Sequence, residues 1–270
     1  MSTPVTLEHP PPSSHSIPGK VETSLRSLQD DLKILRKLQL DAQKDTSNKP
    51  IKPKSFTSIA KKLYRNLVKL RTVLQEQCSK SPINTNPFLQ KDGELPRLQQ
   101  PAEKLLRGLI ERLGSYASHG GFTLTKPIYT TVADCLQLIY THGSTRTLLD
   151  SMSKWEELLN SKDTTLPTRI ALFHCAETLF VSLGKSLVSY VEPFLNSATK
   201  QFKMVTGTDV GSVSVRSSAI RCVGRALDAV GKSGCRHHTA ALKIVVRAAA
   251  NVVTIAATCC GCYEPSRRCH

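Results

Sequence analysis

Apolar residues recur at every third or fourth position along most of the chain, the spacing that puts them on one face of a helix. Leu25, Leu28, Leu32, Leu35 and Leu38 open the series, with Lys33, Arg36 and Lys37 between them, and predict an amphipathic helix from about residue 21. It reads as a terminal helix packed on its neighbour, or as a short coiled-coil strand. Phe56, Ile59, Leu63, Leu67, Leu70 and Leu74 predict a second helix over about residues 56–78. Leu98, Leu105, Leu109, Ile110 and Leu113 predict a third over about 97–116. Pro101 belongs in the first turn of that helix or marks a restart, because proline disrupts a helix interior. Residues 46–54 and 79–96, punctuated by Pro50, Pro53, Pro82, Pro87, Gly93 and Pro96, read as linkers.

From residue 127 the pattern repeats. Pro127 opens a helix with Ile128, Val132, Cys135, Leu136 and Ile139 on one side, and Gly143 closes it where a left-handed residue fits. Ser144 is placed to cap a partner helix carrying Leu148, Leu149, Met152, Trp155, Leu158 and Leu159. A second hairpin joins residues 167–184 to 187–202, with Val191, Phe194, Leu195 and Phe202 buried and Pro193 as a kink. A third copy begins near Val213, continues through Val215, Arg216 and Ala219, and ends at Gly231 with no partner helix evident after it. Aligned without a gap, Arg169, Cys175, Leu179, Phe180 and Gly184 fall on Arg216, Cys222, Ala226, Leu227 and Gly231, 47 residues on. Pro127, Cys135, Ile139 and Tyr140 precede Pro167, Cys175, Leu179 and Phe180 by 40 residues. Gly114, four residues after Ile110 as Gly184 is after Phe180, reads as the end of a degenerate first copy.

Periods of this length belong to HEAT and armadillo arrays. The expected fold is all-α: an α-solenoid of HEAT-like helical hairpins, the truncated start of a longer array. Residues 1–20, rich in Pro and Ser, form a disordered tail; 21–96 hold basic helices and Pro-rich linkers; 97–234 hold the repeats; 235–270 form a Cys-rich end. A low aromatic share of 5% and many small residues suit close helix packing, and alternating strand-like runs are scarce.

Charge adds a second feature. The net charge is +16, and it is uneven. Residues 1–110 carry 19 Lys and Arg against 10 Asp and Glu, 111–234 carry 13 against 10, and 235–270 carry 5 against 1. The excess lies on the flanks, where it can attract nucleic acid, anionic lipid or acidic protein surfaces. Lys61, Lys62, Arg65, Lys69 and Arg71 crowd one helix and make either a basic binding face or a solvated one. No aromatics interleave with them as stacking on single strands requires. The first residues have no basic start followed by an apolar run, which makes the cytosol the default and reduced thiols the expected state of the nine cysteines. No uninterrupted apolar run reaches the length of a spanning helix; residues 248–263 come nearest and include Asn251.

Searches for chemistry return packing. His174 and Cys175 are consecutive, and consecutive residues point about 100° apart on a helix. Cys175 and Cys222 share a repeat position and read as small core residues. Trp155 falls at apolar spacing, Glu156 and Glu157 lack a partner acid, and the glycines form no phosphate-binding loop. In the tail, Cys259, Cys262, Cys269 and one of His237, His238 or His270 offer a zinc half-site without a second knuckle, and Cys235 and Cys260 do not complete it. A retained intron or shifted frame after about Gly234 explains that composition more simply. No catalytic, cofactor or metal residue is assigned, and an enzyme is the least expected class.

The segments LIYTHGSTRTLLDSMSKWEELLNSKD, LPTRIALFHCAETLFVSLGKSL and YVEPFLNSATKQFK, within residues 138–203, resemble the N-terminal region of the HEAT-repeat-containing protein 5 family. Fungal members include the large accessory protein of the Golgi clathrin adaptor. Ser161-Lys162-Asp163 and Leu166-Pro167-Thr168-Arg169 sit where that pattern expects them, and the likeness extends over about residues 105–234. Family members are long solenoids, so this chain corresponds to their first few repeats. The resemblance implies a non-enzymatic cytosolic scaffold at the trans-Golgi network and endosomes. Its partners would be clathrin adaptor complex 1 or associated trafficking proteins, with membrane association through them. The alternative reading, from charge alone, is a basic helical nucleic-acid-binding protein.

Overall fold

A computed structural model describes residues 19–44, 53–80, 94–119, 122–143, 148–232, 237, 239, 241–244 and 246. The protein is all-α, with no strand among these residues. Its helices are α1 (Lys20–Lys44), α2 (Pro53–Lys80), α3 (Glu94–Ala117), α4 (Thr125–His142), α5 (Leu148–Asn160), α6 (Leu166–Leu183), α7 (Val188–Met204) and α8 (Val210–Val230), with a 3₁₀ turn, Gly184–Leu187, before α7. Of the tail expected to be disordered over residues 1–20, Gly19 and Lys20 are ordered, Lys20 opening α1, and residues 1–18, the Ser144 cap and all five tail cysteines fall outside the described residues.

The apolar stripes are the buried faces. Leu25, Leu28 and Leu35 of α1, Phe56, Leu63, Leu67, Leu70 and Leu74 of α2, and Leu109, Ile110 and Leu113 of α3 are all buried. Helix limits differ modestly from the pattern. Proline is tolerated as a first helical residue, so α2 starts at Pro53, and both α2 and α3 reach into the expected loop 79–96. Pro101 lies two turns inside α3. Leu149 does not join the apolar face of α5 and is 51% exposed. Leu124, before α4, adopts the left-handed conformation (φ 66°), and its carbonyl accepts from Ile128 N at 3.0 Å.

The helices form two rows. α2, α4, α6 and α8 pack in that order, each on the next. On the other side α1 lies on α3, and α5 on α7. Across the rows α1 meets α2, α3 meets α4 and α6, α5 meets α6, and α7 meets α8. The hairpins are therefore offset by one helix from the expected pairing of α4 with α5 and α6 with α7. Each even-numbered helix packs on the one before it, because the short connections 161–165 and 205–209 are braced by side chains while Gly184 turns the chain away from α6. α6 and α8 run parallel. Leu166 lies beside Gly211, Glu177 beside Arg221 and Gly184 beside Ala229, all 44 or 45 residues apart.

α6 carries apolar residues around most of its circumference because it packs against four other helices, although Val181 is 59% exposed. It packs on α3, α4, α5 and α8, and Ala171, Leu172, Phe173, Cys175, Ala176, Leu179 and Phe180 are fully buried. Residues Leu166–Met204 are apolar enough by composition to cross a membrane, but they comprise α6, the 3₁₀ turn and α7. The core is one cluster running from α1 through α8, so packing continues across the sequence boundary at residues 96 and 97.

Gly184 and Gly231 both end their helices with positive φ, at 50° and 54°. Gly143 does not: its backbone is extended (φ −113°, ψ −164°), and it is glycine because a Cβ would stand 2.4 Å from Ile139 O. Gly114 ends nothing. It lies inside α3, where a Cβ would stand 1.5 Å from Thr165 Oγ1, and it lets the start of α6 approach closely. After α8, Ala241 and Ile244 are helical and buried, and with Ile220, Val223 and Leu227 they line a small cleft.

Candidate protein-interaction surface

The even-numbered row presents a continuous face, and two arginines tie α6 and α8 to the connections that precede them. Arg169, on the first turn of α6, is 3% exposed. Its Nη1 donates to Leu159 O and to Gln201 Oε1, both at 2.7 Å, and its Nε donates to Thr164 O at 2.9 Å. Nη2 donates to Ser161 O. One guanidinium thus satisfies carbonyls at the end of α5 and along the following connection, groups that a helix terminus leaves without partners. Burial lowers its pKa, yet an arginine stays charged at any physiological pH. Arg216 does the same one copy later. It is buried in α8, and its Nη1 donates to Val205 O at 2.6 Å and Gly207 O at 2.9 Å, just past α7. Asp209 then caps α8, accepting from Ser212 N at 2.9 Å; hydrogen bonds from Ser212 hold its pKa below the usual carboxylate value.

With α4, α6 and α8 spaced this way, a cleft of about 720 Å³ opens across them. Tyr129, Ile170 and Val213 supply apolar walls, Ser214 and Ser217 hydroxyls, and Lys126 and Arg221 positive charge. His174 lies in the cleft with its ring edge-on to Tyr129, centroids 5.2 Å apart. Beside it, Glu177 gathers charges from two helices. Its Oε2 accepts from Arg221 Nε at 2.8 Å and lies 3.9 Å from His174 Nδ1, and its Oε1 is 3.9 Å from Arg225 Nε. Burial is the largest influence on His174 and lowers its pKa, opposed by Glu177 and reinforced by Arg221. Burial also raises the pKa of Tyr129. This mixture of a fixed aromatic, hydroxyls and an ion cluster suits recognition of a polypeptide surface.

The residues singled out by sequence fall into place around it. Cys175 does not share the cleft with His174. It points into the core, fully buried, where desolvation pushes its thiol far above the ordinary value, and Cys222 is buried likewise. Cys135, the third copy, is pushed up to about 12. Trp155 is fully buried, and Glu157 pairs with Lys154 on the surface of α5 at 3.1 Å. Of the five cations singled out on α2, Lys61, Lys62, Arg65, Lys69 and Arg71, Lys62 holds the buried carboxylate of Asp31 at 2.7 Å and Arg71 holds Asp134 on α4 at 2.9 Å. Lys61, Arg65 and Lys69 are exposed. The described residues contain no group of three or more His, Cys, Asp or Glu able to hold a metal ion.

Sequence reasoning overlooked Tyr129, Glu177 and Arg221. Glu177 left one signal, as the lone acid in an otherwise apolar helix. Arg169 and Arg216 were visible as a repeated position, but not as side chains turned back toward the preceding turn. Compared with family models, with curated proteins and with solved structures, the chain matches none.

Proposed function

We propose that this chain is a non-enzymatic scaffold, an α-solenoid of HEAT-like hairpins that binds proteins through the surface of its helical rows. One observation carries the reading. α6 and α8 are equivalent units, each with a buried arginine tied to the turn before it, a buried cysteine at the same register and a positive-φ glycine at its end, and they stack in parallel. Stacked units of this kind build extended surfaces for macromolecular partners. The resemblance within residues 138–203 supplies the cellular setting: clathrin adaptor-dependent traffic between endosomes and the trans-Golgi network, at the cytosolic face, with the membrane reached through partners.

The test is affinity capture from cytosol with the tagged chain, beside a variant carrying Glu177→Lys and Tyr129→Ala. Recovery of adaptor complex 1 or its associated trafficking proteins by the parent, and loss with the variant, is the expected result. If the folded parent recovers none of them, the trafficking role is wrong. If the variant captures them equally, the cleft is not the surface used.

A further inference from the structure

A second groove lies on the opposite row, between α1 and α3. Gln39 Nε2 of α1 donates to Ser115 Oγ of α3, so the two helices run parallel with their C-terminal ends together. Between them lies a groove of about 520 Å³, lined from Leu25 to Arg36 on α1 and from Pro101 to Tyr116 on α3. Leu32, Leu105, Pro101 and Gly108 form its floor. Gly108 matters most: nothing lies within 4 Å of where its Cβ would stand, so the missing side chain is itself part of the space. A mid-helix glycine costs about 1 kcal/mol relative to alanine, and no close neighbour requires one at this half-buried position.

The rim has one sign. Among the described residues, Lys33, Arg36, Lys104 and Arg112 line the groove and no acidic side chain does. The nearest acid on α1, Asp30, pairs with Lys33 at 3.1 Å on the exposed surface. Arg36, Arg112 and Tyr116 all line the groove; burial raises the Tyr116 pKa, and the positive charges of Arg112 and Arg36 oppose it. From Leu25 to Arg36 the groove follows α1 for about 16 Å at the rise of a helix. That is room for roughly three helical turns.

We propose that the α1–α3 groove is a docking site for an acidic amphipathic helix of a partner protein, about 11–15 residues long. Its aliphatic stripe would lie over Leu32, Leu105 and Gly108. Carboxylates on either side of that stripe would meet Lys33, Arg36, Lys104 and Arg112. Charge complementarity selects this occupant: a basic or neutral helix gains nothing from the rim, and a second copy of this basic chain is repelled by it. The inference concerns only this groove and stands apart from the adaptor reading, since it names a partner chemistry, not a pathway.

The probe is a labelled 15-residue synthetic helix with leucines at i, i+3/i+4 and i+7 and glutamates on its flanks, titrated into the whole chain by fluorescence anisotropy. Its isomer with lysines for glutamates is the control. Binding of the acidic peptide, weakened at least tenfold by Gly108→Phe and again by Arg36→Glu with Arg112→Glu, is the expected result. Gly108→Phe fills open space in a helix, and circular dichroism verifies that both variants fold. Equal binding of the lysine isomer, or an acidic peptide indifferent to both variants, overturns the proposal. So does the absence of peptide binding when vesicles containing phosphatidylserine bind the parent but not the charge-reversed variant, because the groove would then serve a lipid surface.

Discussion

Arg169 and Gln201 share one acceptor. Arg169 Nη1 and Gln201 Nε2 both donate to the carbonyl of Leu159, at 2.7 and 2.8 Å, while Arg169 also donates to Gln201 Oε1 at 2.7 Å. Three helices, α5, α6 and α7, are locked at that triangle, and every member is buried. Removing Arg169 strands two backbone carbonyls and the Gln201 amide. Arg169→Ala is therefore expected to destabilise the protein by about 3 kcal/mol. Arg169→Lys should recover little, since a single ammonium does not reproduce the guanidinium fork. Arg216→Ala, which loses two bonds, should cost less. Urea denaturation followed by circular dichroism ranks the three, and an Arg169→Ala midpoint equal to the parent's would refute the anchoring role.

Gly114 is held to a different constraint. Its N–H faces Thr168 Oγ1 at 3.0 Å, and a Cβ would meet the Oγ1 and Cβ of Thr165 at 1.5 and 2.7 Å. In an isolated helix Gly→Ala is favourable by about 1 kcal/mol. Here the clash pushes α6 away from α3, and Gly114→Ala should lower stability by about 1–2 kcal/mol net. Adding Thr165→Ala removes the hydroxyl at 1.5 Å but keeps the Cβ at 2.7 Å, so it should return only part of the loss. A double-mutant cycle measures that coupling directly.

Much of the fold was legible because it rests on period. The stripes of α1 to α4 appear in the sequence as they appear in the core, since burial on one face is what the spacing of Leu28, Leu63 and Ile128 encodes. Which helix packs on which was not legible. Period says that a face is buried, not against what: α6 packs on α4 and α8, neither adjacent to it in the chain, while Arg169 ties it back to the end of α5. The glycines show the same limit. Gly143, Gly184 and Gly231 look alike in sequence, but only the latter two have positive φ, because Gly143 is needed for closeness to Ile139 O. The cleft on α4, α6 and α8 was the least visible part. It is assembled from polar residues that are isolated on their own helices and meet only through parallel stacking.

Thiol reactivity separates the core from the surface. The Cys78 thiol is half-buried and pushed up to about 11. Its alkylation should be slow at pH 7 and rise close to tenfold per pH unit, in proportion to its thiolate fraction. Cys135, Cys175 and Cys222 are buried, and burial raises each thiol further. They should react only when the protein opens, so their rates should climb with urea. Peptide-level mass spectrometry after brief iodoacetamide exposure distinguishes the four. Labelling of Cys175 as fast as Cys78 in native buffer contradicts the packing assigned to α6.

His174 links stability to pH. Its folded pKa is lowered from 6.5 by burial, so the unfolded chain binds the proton more readily. The contribution is full above the unfolded pKa and is lost as pH falls below 6.5 toward the folded value. Lys126 and Arg221 favour the neutral ring, and Glu177 and Asp134 oppose them. His174→Gln should therefore flatten the fall in urea midpoint on going from about pH 7.5 to pH 5. The parent's other histidines remain in the variant, so the difference between the two curves is the readout. Identical curves would show that His174 is not desolvated in the folded state.

The two arginine braces have a consequence for how such a chain can change in length. Arg169 reaches back 5 to 10 residues to its carbonyls, and Arg216 reaches back 9 to 11. The backbone acceptors of each brace thus lie within its own segment, and Arg169 adds one bond to Gln201 on the next helix, α7. A duplicated block running from one connection to the next would bring its own brace, its own core cysteine and its own terminal glycine. Growth by duplication then requires no new long-range pairing, only one more parallel helix laid on the row.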